Sequence, residues 1–277
     1  MATILSMDTA NSYTMGNLQM RSASWAELLS CYKHGLVSAT LAGTPCETFS
    51  EARHQQEEVE QQEHLLSRRL PRPLRSWERL LGLEGLTRRE LAQLHTGSAF
   101  FLQGAVLIAY QVITGGYFVS EHPAPPLDEA RASIWTSPWL TLLRDHPDVH
   151  LHIVPQWKFG ATVPKPTGLL ALRLPFFIRS LYKHADQNLV KPNAVAIGRD
   201  SEGNFRTSCH KEYPARFSAG LARAVTDQLD LDIRQGRISS PAECPGHLHS
   251  WIQEAEVACG AIRQGTRWLP DFQPEAC

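Results

Sequence analysis

Leu36-Val37-Ser38-Ala39-Thr40-Leu41-Ala42 runs without a break into Gly43-Thr44-Pro45-Cys46-Glu47-Thr48-Phe49-Ser50, and the architecture of the chain is best read outward from this stretch. Leu36 to Ala42 is a short apolar run closed by turn residues, the pattern of a strand. Pro45 stiffens the turn by restricting the residue before it. A thiol, Cys46, therefore stands on a tight loop at the carboxyl end of a strand.

On the N-terminal side, Ala23 to His34 reads as a helix ended by Gly35. On the C-terminal side, Glu51 to about Leu70 is rich in Gln and Glu and is closed by Pro71-Arg72-Pro73, so residues 51–76 read as a mobile loop or a frayed helix. Trp77 to Leu83 and Thr87 to Thr114 look helical. The second opens on Thr87-Arg88-Arg89-Glu90, a capping box, and stops at Gly115-Gly116. Tyr117 to Ser120 is the next strand and delivers Glu121 at its carboxyl end. Pro138 to His146 reads as helix, Val149 to Val154 and Gly168 to Leu174 as strands, and Pro214 to Leu229 as an amphipathic helix. Alternation of this kind predicts an α/β domain over residues 1–230, a mainly parallel sheet with flanking helices. Residues 231–277, where the pattern weakens, read as a C-terminal appendage.

With 277 residues and 43% hydrophobic content, the chain is long enough for one sizeable core. The net charge of −1 conceals an asymmetry: Glu51 to Glu63 is rich in carboxylates, while Arg68 to Arg89 holds seven arginines against two glutamates. A polyanion-binding face is compatible with that pattern. Six cysteines lie far apart (Cys31, Cys46, Cys209, Cys244, Cys259, Cys277), and the first residues lack a charged segment followed by an apolar core. Both features predict reduced thiols in an intracellular protein. Gly97 to Ser120 carries no charge, but Gln103, Gln111 and Gly115-Gly116 interrupt it and its apolar residues recur at helical spacing. A buried helix and buried strand are expected there, not a membrane span.

Reactive groups in an open parallel sheet gather at the carboxyl ends of strands, and two such ends here offer Cys46 and Glu121. A thiol nucleophile paired with a carboxyl proton donor needs that placement. Cys46 would also need its pKa lowered by a helix N-terminus or a nearby cation. Trp135, Trp139 and Trp157 suit core packing better than base stacking, and His150-x-His152 puts two rings on one strand face. Cys244-Pro-Gly-His247-Leu-His249, with Cys259 beyond, has no standard zinc-finger spacing, so no metal site is expected.

The run Gly43-Thr44-Pro45-Cys46-Glu47-Thr48-Phe49-Ser50-Glu51-Ala52-Arg53 resembles the catalytic-loop motif of the cytosine-5 DNA methyltransferases, Gly/Pro-Pro-Cys-Gln-x-Phe-Ser, with Thr44 for a proline and Glu47 for the glutamine. Ser120-Glu121-His122-Pro123 is similar to their Glu-Asn-Val motif, with His122 and Pro123 departing from it. Phe159-Gly160-Ala161-Thr162-Val163-Pro164-Lys165-Pro166-Thr167-Gly168-Leu169-Leu170 is similar to their Tyr-Gly-Val-Pro-Gln-x-Arg segment, with a lysine and a proline where the family has glutamine and arginine. Gly16-Asn17-Leu18 followed by Trp25-Ala26-Glu27-Leu28 resembles their Gly-Asp-Ile stretch and the helix after it. These elements cover roughly residues 16 to 229.

The resemblance implies a Rossmann-like domain that methylates DNA on a cytosine rotated out of the stack. In it Cys46 adds to C6, Glu121 protonates or hydrogen-bonds N3, and C5 takes a methyl group from S-adenosylmethionine. It places Asn17 and Pro45 at the cofactor, and makes Arg53, Arg68, Arg69, Arg72 and Arg75 contacts to nucleic acid. Lys158 or Lys165 would take the cationic role of the family's arginine. The family's Phe-x-Gly-x-Gly-Gly cofactor turn is missing from the sequence, so the domain is expected to be incomplete at the N-terminus, as in a partial gene product or a mobile-element fragment. In a eukaryote the protein would be nuclear. Two other classes fit the same residues: a non-catalytic descendant that binds nucleic acid or a protein partner, and an unrelated thiol hydrolase in which His54 or His122 serves Cys46 as base.

Overall fold

The structure, a computed structural model, describes residues 23–49, 53, 72–193 and 213–237. Its elements are α1 (Ala23–Lys33), β1 (Ala39–Gly43), α2 (Arg88–Thr114), β2 (Tyr117–Pro123), α3 (Pro138–Arg144), β3 (Val149–Pro155), β4 (Pro166–Leu172), α4 (Phe177–Tyr182) and α5 (Ala215–Arg234). Short 3-10 turns at Ile134–Thr136 and Gln156–Phe159 lie between them.

The four strands form a single sheet in the order β1-β2-β4-β3. β1 and β2 are parallel, as a long connection holding a helix allows. β4 is antiparallel to both of its neighbours, so three strands run one way and one runs back. The sheet is therefore mixed: β1, β2 and β3 share one direction and β4 alone runs against them, so the expected α/β sheet is met in part. Gln156 to Lys165, the link between β3 and β4, is too short for a helical crossover, which takes a dozen or more residues, and it closes a hairpin instead.

Helices cover both faces. α1, α2 and α3 enclose one core with Phe101, Leu102, Ile108, Phe118, Trp135 and Leu140, while α4 and α5 enclose another with Val119, Leu169, Phe177, Phe217 and Leu221. β2 lies between the two, and its positions Tyr117 to His122 are all buried. Successive side chains of a strand point to opposite faces, so Phe118 serves the first core and Val119 the second.

α2 passes the length and hydropathy test for a membrane span, yet 72% of its most apolar window is buried inside the protein. Its polar interruptions have work to do. Gln111 donates to the Val37 carbonyl and to Thr40 Oγ1, both at 3.1 Å, and so ties the helix to β1. The predicted capping box is present, with Thr87 and Glu90 bonded reciprocally, and Gly115 ends the helix in the left-handed region at φ 80.

Two expectations need correction. Trp77 to Leu83 is a series of turns, not a helix, because the Leu83 amide bonds back to the Leu74 carbonyl at 2.9 Å and the Leu80 carbonyl is taken by the buried Arg75 guanidinium. The last helix also continues past Asp230 to Arg234, so residue 230 lies inside an element. α4 was not expected from the sequence.

Candidate catalytic site

The parallel register of β1 on β2 places Gly43 opposite Glu121. Both strands end on the same side of the sheet, so the loop leaving β1 carries Cys46 past the Glu121 carboxyl. The loop folds as a turn in which the Phe49 amide bonds to the Cys46 carbonyl at 2.9 Å. Cys46 is half-buried, and Thr48 and Phe49 are buried against α2.

Two arginines fasten this loop. Arg75 is 2% exposed and donates to Thr48 Oγ1 at 3.0 Å, to Ser98 Oγ at 3.0 Å and to the Leu94 carbonyl at 3.2 Å. Its guanidinium lies 4.1 Å from the centre of the Phe49 ring, a cation–π contact. Burial and the nearby charge of Arg53 depress its pKa to about 9. Arg53 is 8% exposed and donates to the Glu47 carbonyl at 2.6 Å, the Arg72 carbonyl at 3.1 Å and Gln93 Oε1 at 3.1 Å. Neither arginine faces outward to a phosphate, which corrects the expectation for both. Arg72 is exposed but forms a fork with Glu90, both bonds 2.9 Å. Arg68, Arg69 and Asn17 lie outside the described residues, as do His54 and the Cys244 to Cys259 segment.

The loop sits close to α2 because that helix carries glycines beneath it. A Cβ at Gly97 would stand 2.6 Å from Thr48 Oγ1, and one at Gly104 would stand 3.1 Å from Thr44 Cγ2. Pro45 is exposed and borders a cavity of about 320 Å³ together with Glu47, Thr48, Arg89 and Gln93.

Glu121 is 8% exposed and held by two donors. Tyr213 Oη donates to Oε2 at 2.6 Å, and Gln156 Nε2 donates to Oε1 at 3.2 Å and to Thr167 Oγ1 at 2.8 Å. Lys165, whose backbone takes φ 32, puts its ammonium 5.1 Å from the centre of the Tyr213 ring. Burial raises the pKa of Glu121, and the Tyr213 bond and the Lys165 charge oppose that. Burial also raises the Cys46 thiol; the charge of Glu121 adds to the rise and Lys165 counters it. At rest Cys46 is therefore a protonated thiol, since Lys165 only partly meets the cation requirement. Of the two candidate lysines, Lys165 acts electrostatically on the pair, whereas Lys158 lies over the rings of Trp157 and Tyr182.

His122 follows Glu121 on β2 and so points to the opposite face, edge-on to Phe49 and Trp135. It is buried, burial lowers its pKa to about 3, and its Nε2 has no protein partner. An imidazole with so low a pKa is a weak base, so His122 does not suit the hydrolase reading. Trp135 and Trp139 are buried core residues, and Trp135 Nε1 donates to the Pro123 carbonyl at 2.6 Å. His150 and His152 sit side by side on β3, ring centres 6.2 Å apart.

Tyr213 and Gln156 were not picked out from the sequence. Neither belongs to a motif, and only the packing of α5 and of the β3–β4 link on β2 brings them to Glu121.

No family model, curated protein or solved structure matches this chain.

Proposed function

We propose that the site is of the cytosine-5 DNA methyltransferase type, with Cys46 as nucleophile and Glu121 as proton donor to a cytosine rotated out of the helix. The observation that carries this reading is the parallel β1/β2 register, which couples a thiol and a buried carboxyl across neighbouring strand ends. The same pairing, with helices on both faces, supports a Rossmann-like reading of the domain.

C6 of cytosine is attacked readily only when N3 carries a proton or a strong hydrogen bond. The pair supplies both halves of that step. When the Cys46 proton passes to Glu121, the result is a thiolate beside a neutral carboxyl. The thiolate then forms the S–C6 bond as the carboxyl proton moves to N3, leaving Glu121 ionised and the ring neutral. A raised Glu121 pKa favours this state, because a carboxylate at its ordinary pKa would have no proton to give at neutral pH. Lys165 steadies the single negative charge through the step.

S-adenosylmethionine is the methyl donor that the resemblance implies, and the cavity beside Glu121 does not fit it. The cavity beside Glu121, about 170 Å³, is lined by Leu41, Val119, Leu221 and Tyr213 and is small beside the roughly 300 Å³ or more that cofactor sites occupy. The steps assigned to this chain are therefore those of the thiol and the carboxyl. DNA is the proposed partner, met inside the cell and in the nucleus if the source is eukaryotic.

The test is covalent trapping. DNA holding 2-pyrimidinone accepts a thiol at C6 without methylation, and DNA holding 5-fluorocytosine traps the enzyme only after methyl transfer. Wild type is expected to form the first adduct and Cys46→Ser none; the second, with S-adenosylmethionine present, reports the complete reaction. No adduct of either kind rejects the catalytic reading.

One observation favours a second reading, a non-catalytic descendant that binds nucleic acid or a protein partner through this face: the thiol is held protonated by burial and by Glu121. It predicts salt-sensitive DNA binding that survives Cys46→Ser.

A further inference from the structure

We propose that Tyr213 is a positioning residue for Glu121: its hydroxyl fixes the carboxyl through Oε2, which leaves Oε1 as the oxygen that carries the acid proton. The proposal rests on the reading of Glu121 as proton donor and adds a residue and an orientation to it.

The two bonds to Glu121 are unequal. Tyr213 Oη stands 2.6 Å from Oε2, a short bond between residues 92 positions apart in the chain. Gln156 Nε2 stands 3.2 Å from Oε1 and divides its donor capacity with Thr167. The Gln156 side chain is fully buried, and its carbonyl oxygen has no partner. Turned by half a rotation, the amide would offer that oxygen to a proton on Oε1. Gln156 thus suits Glu121 in either protonation state, donating to the carboxylate or accepting from the acid. Tyr213 offers Oε2 a donor, and burial together with the negative charge of Glu121 raises the phenol pKa and keeps it one. The acid proton therefore belongs on Oε1.

The thiol loop is shaped to admit this tyrosine. A Cβ at Gly43 would collide with the Tyr213 hydroxyl, so the glycine opposite Glu121 in the register is the residue that lets the phenol reach the carboxyl. The Lys165 ammonium lies over the ring, 5.1 Å from its centre, so the tyrosine is held between the loop, the carboxylate and an ammonium.

Carbon-13 carboxyl NMR on glutamate-labelled full-length protein, with Glu121→Gln used to assign the resonance, reads the role directly. Tyr213→Phe keeps the ring and removes the hydroxyl that favours the ionised carboxyl, so the Glu121 titration is expected to move to higher pH. Gly43→Ala should move it the same way by displacing the hydroxyl. Trapping by 2-pyrimidinone DNA should slow roughly tenfold in Tyr213→Phe, with its fall at alkaline pH displaced upward. An unchanged or lowered titration midpoint would overturn the proposal. So would faster trapping, which would mark the tyrosine as an obstruction in the site. If wild type forms no adduct, the methyltransferase reading fails by itself, and the NMR shift alone decides the role of Tyr213.

Discussion

Cys46 and Glu121 were both legible as residues, the thiol because a stiff Gly-Thr-Pro-Cys turn follows an apolar strand, the carboxyl because it follows the apolar run Tyr117 to Ser120, although β2 continues to Pro123. Their electrostatics were not. The expected activation of Cys46 by lowering its pKa is reversed, because burial and the Glu121 charge together exceed the help from Lys165. This gives a direct prediction. Glu121→Gln removes a negative charge beside the thiol, so the pH midpoint of Cys46 alkylation by iodoacetamide should fall relative to wild type. A midpoint that stays or rises would show that the two groups are not coupled. The arginines show the same gap between type and role. Arg75 and Arg53 read as phosphate contacts in one dimension, yet both terminal nitrogens of Arg75 bond to protein oxygens. A guanidinium only 2% exposed turns no donor face outward, and its pattern of partners exists only in the folded chain.

At the scale of elements, α2 is the best foretold part of the molecule: cap, length and terminal glycine all appear where the capping box and Gly115-Gly116 put them. What could not be read was why it holds Gly97. A glycine inside a helix costs up to about 1 kcal/mol relative to alanine, so Gly97→Ala would stabilise an isolated helix. Here the new methyl would stand 2.6 Å from Thr48 Oγ1 and 3.3 Å from Arg75, and overpacking of that kind costs about 1–3 kcal/mol. The second effect is the larger. Gly97→Ala is expected to lower the urea midpoint and to alter Cys46 alkylation, since Thr48 belongs to the thiol loop. A variant as stable as wild type would mean that the loop does not bear on the helix as described. The direction of β4 was not legible, because its apolar run is the same whether it pairs parallel or antiparallel.

Among the described residues the molecule is a sheet with a core on each face, and β2 between them carries a buried histidine that makes stability depend on pH. His122 is buried in the first core and held neutral, with a folded pKa of about 3 against an ordinary value of 6.5. Between these values the unfolded chain binds a proton that the folded chain refuses, so stability rises with pH across this window, is complete above it and is lost as pH falls through it. Urea unfolding at pH 4 and pH 7 is expected to show a clear loss at the lower pH that His122→Gln reduces; equal losses in both proteins would remove His122 from the account. The sequence by itself determined the alternation of helices and strands, the buried helix and the thiol at a strand end, because period, capping and turn chemistry are local. Only the tertiary structure decided that β1 and β2 are neighbours, that β4 runs back between β2 and β3, that two arginines are fastenings, and that Tyr213 and Gln156 meet at Glu121. Strand order, register and burial depend on contacts between residues far apart in the chain, and those contacts, not residue type, set the proton affinity of the thiol at Cys46.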